Sequence, residues 1–364
     1  MKKKILIDSH LDLAWNAISW SRNLRDSLDD INRREVGMTD QKGRACATTC
    51  FPEMRRGRMA ACLGTMMARV PYGETQLHGT SLDYPCHPSA YGFAVGQLGY
   101  YEALDQVGEI RLLKTKPQWD QHITEWETAD DDDELPIGMI IAMEGCDAIM
   151  SPSQAEHWFE KGLRCTSLVH YGKSAYAEGT GEEGPLTAAG REMLAEFERV
   201  GMILDLTHLS DAGFFEAVEL FNGPVVASHQ NCRALVPGQR QFSDEQIRIV
   251  IERGGVLGAA MDSWMLYPGG WIRGETDRSV VSLDAVADHI VHICDLAGNT
   301  LHSAIGSDLD GGYGTEQTPV GLDSIADLQK LDTILRDRGF SEEDVENVFF
   351  RNWARFFSKH LPAG

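Results

Sequence analysis

Short apolar runs recur along the chain and alternate with longer segments of helical periodicity. Eight of these runs are rich in β-branched residues and are mostly introduced by Gly or Pro, and we predict a β-strand at each. They are "KKKILIDSH", "GRMAACLGTMMARV", "LPIGMIIAMEG", "GLRCTSLVHYG", "GMILDLTHLS", "GPVVASHQN", "GGVLGAAMDS" and "SAIGSDLDGG". Their nearly continuous apolar character is typical of parallel strands that are buried on both faces.

The segments between these runs are amphipathic and predict helices, for example "TAAGREMLAEFERV" and "SLDAVADHIVHICDLAG". Thr187 and Ser210 are predicted N-caps, and Gly254 and Gly298 are predicted helix ends. Strands that alternate with helices over eight units predict an α/β protein with a (β/α)8 TIM barrel. An open doubly wound sheet is the alternative, although no Gly-rich phosphate-binding fingerprint follows the first strand to favour it.

Two segments depart from this alternation. Residues 17–55 are polar and mixed in charge, and we expect an excursion between the first two strands. The acidic run Thr128–Pro136 predicts a solvated loop, because the ligand spacing and glycine of an EF-hand calcium loop are missing. Because there are no internal repeats and no clear linker, we expect residues 1–364 to form a single barrel domain.

Composition excludes several classes of function. Apolar residues make up 43% of the chain and charged residues 24%, which is ordinary for a soluble globular protein. The formal net charge of −22 argues against nucleic acid or an anionic membrane as a partner, since both require a positive surface. No stretch approaches the length of a membrane span, and Asp8 and His10 interrupt the apolar run near the start, so a cytoplasmic location is expected. The eight cysteines are scattered, so reduced thiols are expected.

Six of the predicted strands end in ionisable side chains. These are His10 and Asp12 after the first strand, Glu144 after the third, His170 after the fourth, His208 after the fifth, His229 after the sixth and Asp308 after the eighth. In a barrel all these strand ends converge on one rim, which is where active sites lie. A lone histidine at a strand end is usually a structural residue, but seven ionisable groups in one basin require a cation to balance them.

The types of side chain predict the kind of metal. Imidazoles and carboxylates without thiolates suit zinc or a similar divalent ion. Three histidines, an aspartate and a glutamate are too many ligands for one catalytic zinc with an open position, and they fit two metals about 3.5–4 Å apart that share a carboxylate. Asp205 and Asp310 are interpreted as turn or supporting groups.

The order of these motifs resembles the membrane (renal-type) dipeptidase family, peptidase family M19 of the metal-dependent amidohydrolase superfamily. The resemblance rests on His-x-Asp, on E-G after the third strand, and on "LVHYG", "DLTHLS", "ASHQNCRAL" and "GSDLDG". It extends from about residue 5 to 357 and is strongest between 162 and 255. It implies a zinc peptidase with an amidohydrolase barrel, a dipeptide or similar small molecule as substrate, and a homodimer.

The same resemblance implies a role for individual residues. It implies two zinc ions per chain, which are bridged by a carboxylate and by a water or hydroxide. The metal ligands would be His10 and Asp12 for one zinc, His208 and His229 for the other, and Glu144 as the bridge. His170 would contact the scissile carbonyl oxygen, Arg240 would help to bind the substrate, and Asp308 would protonate the leaving amine.

Some positions depart from the family pattern. Ser9 and Leu11 stand where the family usually has other residues, and the aromatic-rich loop over 262–271 does not follow the mammalian enzymes. Asp262, Trp264 and Met265 are therefore expected to shape a different pocket. A dipeptidase is the leading hypothesis. An N-acyl amino acid deacylase or lactonase on the same metal centre, and a non-catalytic metal-binding barrel, remain as alternatives.

Overall fold

The computed structural model describes residues 3–72, 82–129 and 135–364. Residues 130–134 of the predicted acidic loop lie outside the described residues, so that part of the prediction stays a prediction.

The strands of the described residues form one parallel sheet. They are β1 (Leu6–Leu11), β2 (Met59–Met67), β3 (Ile110–Leu112), β4 (Ile137–Glu144), β5 (Leu163–Thr166), β6 (Ile203–Asp205), β7 (Val225–Val226), β8 (Leu257–Ala259) and β9 (Ser303–Ile305). Their order is β7-β6-β5-β4-β2-β1-β9-β8. Ala227, which follows β7, pairs in parallel with Leu257 of β8 and brings the two ends of the sheet together. This nearly closed ring confirms the (β/α)8 barrel.

The strands of the ring are the eight that the sequence predicts, whereas β3 was not predicted. It pairs with the first residues of β4, where Ile110 lies opposite Ile137, and takes no place in the ring. Its three residues are too few to show a periodicity in the sequence.

Helices cover the outside of the barrel. They are α1 (Leu13–Ser19), α2 (Leu28–Glu35), α3 (Phe51–Arg56), α4 (His87–Gln106), α5 (Lys116–Thr128), α6 (Ala155–Lys161), α7 (Ala188–Val200), α8 (Asp211–Leu220), α9 (Asp244–Glu252), α10 (Leu283–Ala297), α11 (Leu331–Asp337), α12 (Glu342–Glu346) and α13 (Asn352–His360). Shorter helical turns are Cys146–Ala148, Pro152–Gln154, Ser263–Met265, Arg278–Val280, Ile325–Lys330 and Asn347–Arg351. Among the described residues, none of these helices combines the length and the apolar character that a membrane span needs.

The predicted helix ends are confirmed. The side chain of Thr187 accepts a hydrogen bond from the backbone N–H of Gly190 at the start of α7, and Ser210 accepts one from Gly213 at the start of α8. Gly298 ends α10 in the left-handed conformation, with φ +67°.

The inside of the barrel is narrow where β7, β8, β9 and β1 meet. A Cβ atom on Gly258 would lie 2.1 Å from the carbonyl oxygen of Ser228, and one on Gly306 would lie 1.8 Å from the same atom. The single hydroxyl hydrogen of Ser9 is shared between that carbonyl and the carbonyl of Ile305, which is 3.1 Å from Oγ. Ser9 therefore links β1 to the neighbouring β9 and to the residues that follow β7.

Residues 17–55, the predicted excursion, connect β1 to β2 and carry α2 and α3. The buried guanidinium of Arg22 binds the carboxylate of Glu35 at 2.8 and 3.0 Å and Oδ2 of Asp310 at 3.3 Å. Asp310 also accepts hydrogen bonds from the backbone N–H groups of Thr48 and Thr49. The excursion is thus fastened to the loop that follows β9.

Candidate metal centre and active-site cavity

The C-terminal ends of the strands bring the predicted ionisable side chains together. Their ligand atoms lie within 4.8 Å of one another in three overlapping groups. The groups are His10, Glu144 and His229; Glu144, His170 and His208; and His10, Asp12 and Asp308. Side chains that are separated by up to 298 positions in the sequence therefore share one basin, because parallel strands end at the same rim.

Glu144, the last residue of β4, lies at the centre of this basin. Its Oε1 is 2.9 Å from Nε2 of His208 and 3.2 Å from Nε2 of His229. Its other oxygen, Oε2, is 3.6 Å from Nε2 of His10. One carboxylate thus faces histidines on both of its sides.

His10 contacts the remaining carboxylates. Its Nε2 lies 3.8 Å from Oδ2 of Asp12 and 3.8 Å from Oδ1 of Asp308. Asp12 is almost fully buried, whereas the side chain of Asp308 keeps 17% of its exposure. Asp308 therefore reaches both the buried ligands and the solvent-accessible side of the basin.

The residues present fit a bound metal ion. Nε2 of His10 and both carboxylate oxygens of Asp12 are buried, and none has a hydrogen-bond partner within the described part of the chain. A buried polar atom without a partner costs about 1–3 kcal/mol, and a cation that accepts all three lone pairs removes that cost. Imidazole nitrogens and carboxylate oxygens are the ligand set of zinc and similar divalent ions.

The ring nitrogens that point away from the basin are also bound. Nδ1 of His208 lies 2.9 Å from Oγ1 of Thr180, and Nδ1 of His229 lies 2.9 Å from Oγ of Ser228. The hydroxyl of Ser228 donates to Oδ2 of Asp205, the supporting carboxylate that the sequence indicates. Such partners orient a ligating histidine and leave its other nitrogen free for a metal.

Two residues of the basin have an unusual backbone conformation. His208 and Asp308 have φ angles of +72° and +59°, a region that residues other than glycine rarely adopt. Asp8 stabilises the loop that carries Asp308, because its Oδ1 accepts hydrogen bonds from the backbone N–H groups of His10 at 3.0 Å and Ser307 at 2.9 Å. Strain of this kind persists where the surrounding contacts hold it, and it is common at functional sites.

Electrostatics keep two of the histidines in the form that binds metal. Burial lowers the pKa of His208 and of His229 well below the usual value, so both rings are neutral and each has a free lone pair. Burial alone would also lower the pKa of His10, but the carboxylates of Glu144 and Asp12 raise it well above its usual value. The negative charge around His10 therefore favours a positive charge on or beside its ring.

A cavity of about 410 Å³ opens beside the ligands. The described residues that line it are Asp12, Trp15, Gln41, Lys42, Met67, Arg69, Leu82, Glu144, His170, Tyr171, His208, Arg240, Asp262, Trp264, Met265, Arg273, Asp308, Gly311 and Gly312. The loop after β8 thus contributes to its wall as the sequence predicts, and residues 17–55 contribute as well.

Arg240, the predicted substrate-binding residue, lies in this wall. Its Nη1 donates to Oε1 of Gln230 at 2.7 Å, and its Nη2 donates to the carbonyl of His229 at 2.9 Å. Its Nε is buried and has no hydrogen-bond partner in the ranges that the structure describes. Burial raises the pKa of the neighbouring Asp262 carboxyl to about 7.

Sequence reasoning missed three residues that contact the predicted site. Ser228 directly precedes His229 in "VVASHQN", so its place beside the ligand could have been inferred. Arg69 follows β2 and lies at the rim, although no residue of that strand end was predicted to take part. Thr180 comes from the long segment between β5 and α7, where the sequence carries no signal.

Comparison with known proteins decides the family. The model of the membrane dipeptidase family, peptidase family M19, matches residues 1–361. The chain belongs to this family. Dipeptidase verJ of Clonostachys rogersoniana is 31% identical over 224 residues, which are 60% of this chain and 54% of that protein. Dipeptidase aclJ of Aspergillus oryzae is 33% identical over 217 residues, which are 58% and 49% of the two chains. The chain spans about half the length of these curated relatives.

Solved structures share the fold of this M19 member over its whole length. The crystal structure of dipeptidase AC, a metallo peptidase of family M19, superposes with a TM-score of 0.78 at 23% identity and covers 100% of both chains. A metallo peptidase from Rhodobacter sphaeroides, liganded with a phosphinate mimic of the dipeptide L-Ala-D-Ala, has a TM-score of 0.77 at 23% identity over 99% of this chain and 100% of that chain. At this level of identity the likeness establishes the common barrel.

Proposed function

We propose that this M19 protein is a binuclear zinc-dependent dipeptidase. The observation that carries the proposal is the position of Glu144, whose two oxygens face His208 and His229 on one side and His10 on the other. A carboxylate in that position suits a bridge between two metal ions. The buried, unpartnered atoms of His10 and Asp12 support a cation on their side.

We assign the ligands to two sets. His10 and Asp12 would hold one zinc, and His208 and His229, whose Nε2 atoms lie 3.1 Å apart, would hold the other, with Glu144 shared between them. Bound there, the two ions would polarise a substrate carbonyl and lower the pKa of a coordinated water to about 7. The neutral state of His208 and His229 is consistent with this use, since a protonated imidazole binds no metal.

The remaining side chains suit the other demands of peptide hydrolysis. His170 lies beside the ligands, with Nε2 3.8 Å from Oε1 of Glu144, where it could donate a hydrogen bond to a carbonyl oxygen. Asp308 lies between the ligands and the cavity and would carry a proton to the leaving amine. Arg240 offers a guanidinium to the C-terminal carboxylate of an unmodified dipeptide.

The relatives support the dipeptide as the substrate class. Two curated relatives are named dipeptidases, and the Rhodobacter sphaeroides structure holds a mimic of L-Ala-D-Ala. The preferred side chains and stereochemistry are expected to depend on the loop that carries Asp262, Trp264 and Met265. A cytoplasmic location and a homodimer stay predictions, which cell fractionation and light scattering would check.

The test combines metal analysis with a substrate panel. Elemental analysis of the purified protein is expected to find two zinc ions per chain, and a mixed panel of L,L and L,D dipeptides is expected to be cleaved. A fully metal-loaded protein that cleaves no dipeptide but hydrolyses N-acyl amino acids or lactones would establish the alternative activity. Asp308→Asn is expected to abolish turnover and retain zinc, whereas unchanged behaviour in every assay would favour a binding protein.

A further inference from the structure

A hydrogen bond joins Arg69 to His170 at the rim of the cavity. Nη1 of Arg69 lies 3.2 Å from Nδ1 of His170, the ring nitrogen that faces away from the ligands. Nε2 of the same ring lies 3.8 Å from Oε1 of Glu144, which is longer than a hydrogen bond. His170 thus has one nitrogen engaged by Arg69 and the other turned to the basin without a hydrogen bond to Glu144.

The chemistry of arginine fixes the state of this ring. A guanidinium carries five N–H donors, has no acceptor and does not lose its proton in proteins. Nδ1 of His170 must therefore be the acceptor in this contact and carries no hydrogen. The single hydrogen of the neutral imidazole lies on Nε2, which points into the basin as a donor.

The same chain contains a second histidine with this arrangement. Nη1 of Arg111 lies 3.2 Å from Nδ1 of the buried His122, and Nε2 of that ring lies 2.8 Å from the carbonyl oxygen of Ala60. A carbonyl oxygen only accepts, so Nε2 of His122 must be protonated. In His122, therefore, an arginine donates to Nδ1 while the Nε2–H group donates to a carbonyl oxygen.

Other contacts hold Arg69 in place. Its Nε and Nη2 bind Oδ1 of the buried Asp83 at 2.7 and 2.6 Å, and its own backbone pairs with Leu82 and Tyr84 at 2.8 Å each. The side chain of Arg69 is only 16% exposed. These contacts fix the backbone, Nε and Nη2 of Arg69. Its guanidinium therefore meets His170 in one orientation, and the side chain loses little conformational entropy when it forms this hydrogen bond.

We propose that Arg69 is a positioning residue that holds His170 as the Nε2–H tautomer. In that state His170 presents a hydrogen-bond donor to the carbonyl oxygen of the substrate, whereas the other tautomer would present a lone pair and repel it. The assignment of the tautomer rests only on the donors of Arg69. The role of the Nε2–H group as a donor to the substrate carbonyl rests on the proposed function.

The decisive measurement is the protonation pattern of the ring. In zinc-loaded protein labelled with ¹⁵N in the histidine rings, long-range ¹H–¹⁵N spectra separate the two tautomers, and His170→Gln identifies the signals of His170. The wild type is expected to show a protonated Nε2 and a bare Nδ1. Arg69→Met is expected to move His170 towards a mixture of tautomers and to leave His122 unchanged, while Arg111→Met does the reverse. A protonated Nδ1 in the wild type, or an unchanged His170 signal in Arg69→Met, overturns the proposal.

A second variant separates the tautomer from folding. Because Arg69→Met deprives the buried Asp83 of an ion-pair partner, the double variant Arg69→Met/Asp83→Asn removes the carboxylate charge as well. It is expected to fold with wild-type zinc content and to show the same change at His170. Arg69→Lys, which keeps a positively charged donor group, is expected to restore the Nε2–H tautomer at least in part.

Kinetics then connect the tautomer to turnover. With a cleaved dipeptide, Arg69→Met is expected to lower kcat by between about tenfold and about 100-fold and to leave KM nearly unchanged, since one transition-state hydrogen bond is weakened. Equal kcat in the two proteins would refute the positioning role. If the spectra give the expected tautomers but no dipeptide is cleaved, the proposed function fails and the tautomer assignment stands.

Discussion

The hydroxyl oxygen of Ser228 lies 2.9 Å from Nδ1 of His229, and the hydroxyl donates its hydrogen to Oδ2 of Asp205. Because the hydroxyl has only one hydrogen, its oxygen must accept the N–H of the imidazole. Nε2 of His229 is therefore the bare nitrogen, and it is the one that faces Glu144. The orientation of the proposed ligand His229 thus depends on Ser228, which is not itself a proposed ligand.

Removing the hydroxyl should weaken metal binding. Ser228→Ala is expected to lower zinc affinity about 10–100-fold, in line with the loss of other partners behind ligating histidines. The measurement is competition with a chelator of known affinity. Ser153→Ala, which removes an exposed serine hydroxyl, is the matched control and should bind zinc like the wild type. Equal affinity in Ser228→Ala would show that His229 is oriented without the serine.

Removal of zinc should destabilise the fold. The basin would then keep buried atoms of His10 and Asp12 without hydrogen-bond partners among the described residues. Zinc that binds only the folded state adds about 2.7 kcal/mol of stability at 100 times its Kd. Chelation is expected to lower the thermal midpoint, and added zinc is expected to restore it. Mg²⁺, which prefers sites made only of oxygen, should restore it less. A midpoint that is insensitive to chelation would contradict a metal centre at this rim.

Stability should fall as the pH drops below the usual pKa of histidine. Burial lowers the pKa of His122 from 6.5 to about 4, so between these values the unfolded chain takes up a proton that the folded chain refuses. Stability then rises with pH, and the contribution lost on acidification is up to about 3 kcal/mol, at roughly 1.4 kcal/mol for each pKa unit. Urea unfolding at pH 7, 6 and 5 is expected to show a smaller pH dependence in His122→Gln. His157→Gln, which removes an exposed histidine, tests whether the loss of any histidine has this effect.

Arg240 should discriminate between substrates by their carboxylate. Arg240→Met is expected to raise KM for a dipeptide by about 10–100-fold, the equivalent of the 1.5–3 kcal/mol typical of a charged hydrogen bond. For the same dipeptide with an amidated C-terminus, wild type and variant should differ little. Arg199→Met removes a surface arginine that pairs with Glu156 and Glu196, and it is the matched control. An equal rise for both substrates would mean that Arg240 supports the cavity wall and does not bind the carboxylate.

The bond between Arg22 and its carboxylates should be costly to break. Arg22→Met leaves Glu35 and Asp310 without this cation, and breaking a buried ion pair by removing one partner costs about 3–5 kcal/mol. Denaturant unfolding measures the loss. Arg22→Met/Glu35→Gln, which also removes one of the two charges, is expected to recover part of it. A loss below about 1 kcal/mol in the single variant would show that the excursion is held by its apolar contacts.

The sequence could predict the ligands because each lies at the end of a buried strand or within three residues of it. For His10, Glu144 and His229, the end of an apolar run marks the position along the chain, and the parallel barrel then determines where the side chain lies. Asp205 could be read as supporting for the same reason, since it ends β6. Local pattern and global topology agree at these positions, and this is the condition under which sequence reasoning works.

The site residues that the sequence could not predict lie in loops between the strands and helices. Thr180 and Arg69 reach the site through loops whose paths depend on contacts with distant segments, such as the pairing of Arg69 with Leu82 and Tyr84. Lys42 and Gln41 line the cavity because the ion pair between Arg22 and Asp310 holds the excursion next to it. The polar composition of residues 17–55 does not predict where this segment packs. β3 was not predicted because it has only three residues, too few to show a hydrophobic periodicity in the sequence.

The neighbourhood of β1 and β9 has a consequence for how the protein is made. β1 is synthesised well before β9, but Asp8 of β1 pairs with Ile305 of β9 and its carboxylate binds the backbone of Ser307. Synthesis therefore has to reach Ile305 before β1 can pair with β9, and Asp310 reaches Arg22 only after five more residues. Asp308, which shares a group with His10 and Asp12, is made in the same stretch of chain. Closure of the barrel and completion of this group of side chains therefore both depend on β9 and the loop that follows it.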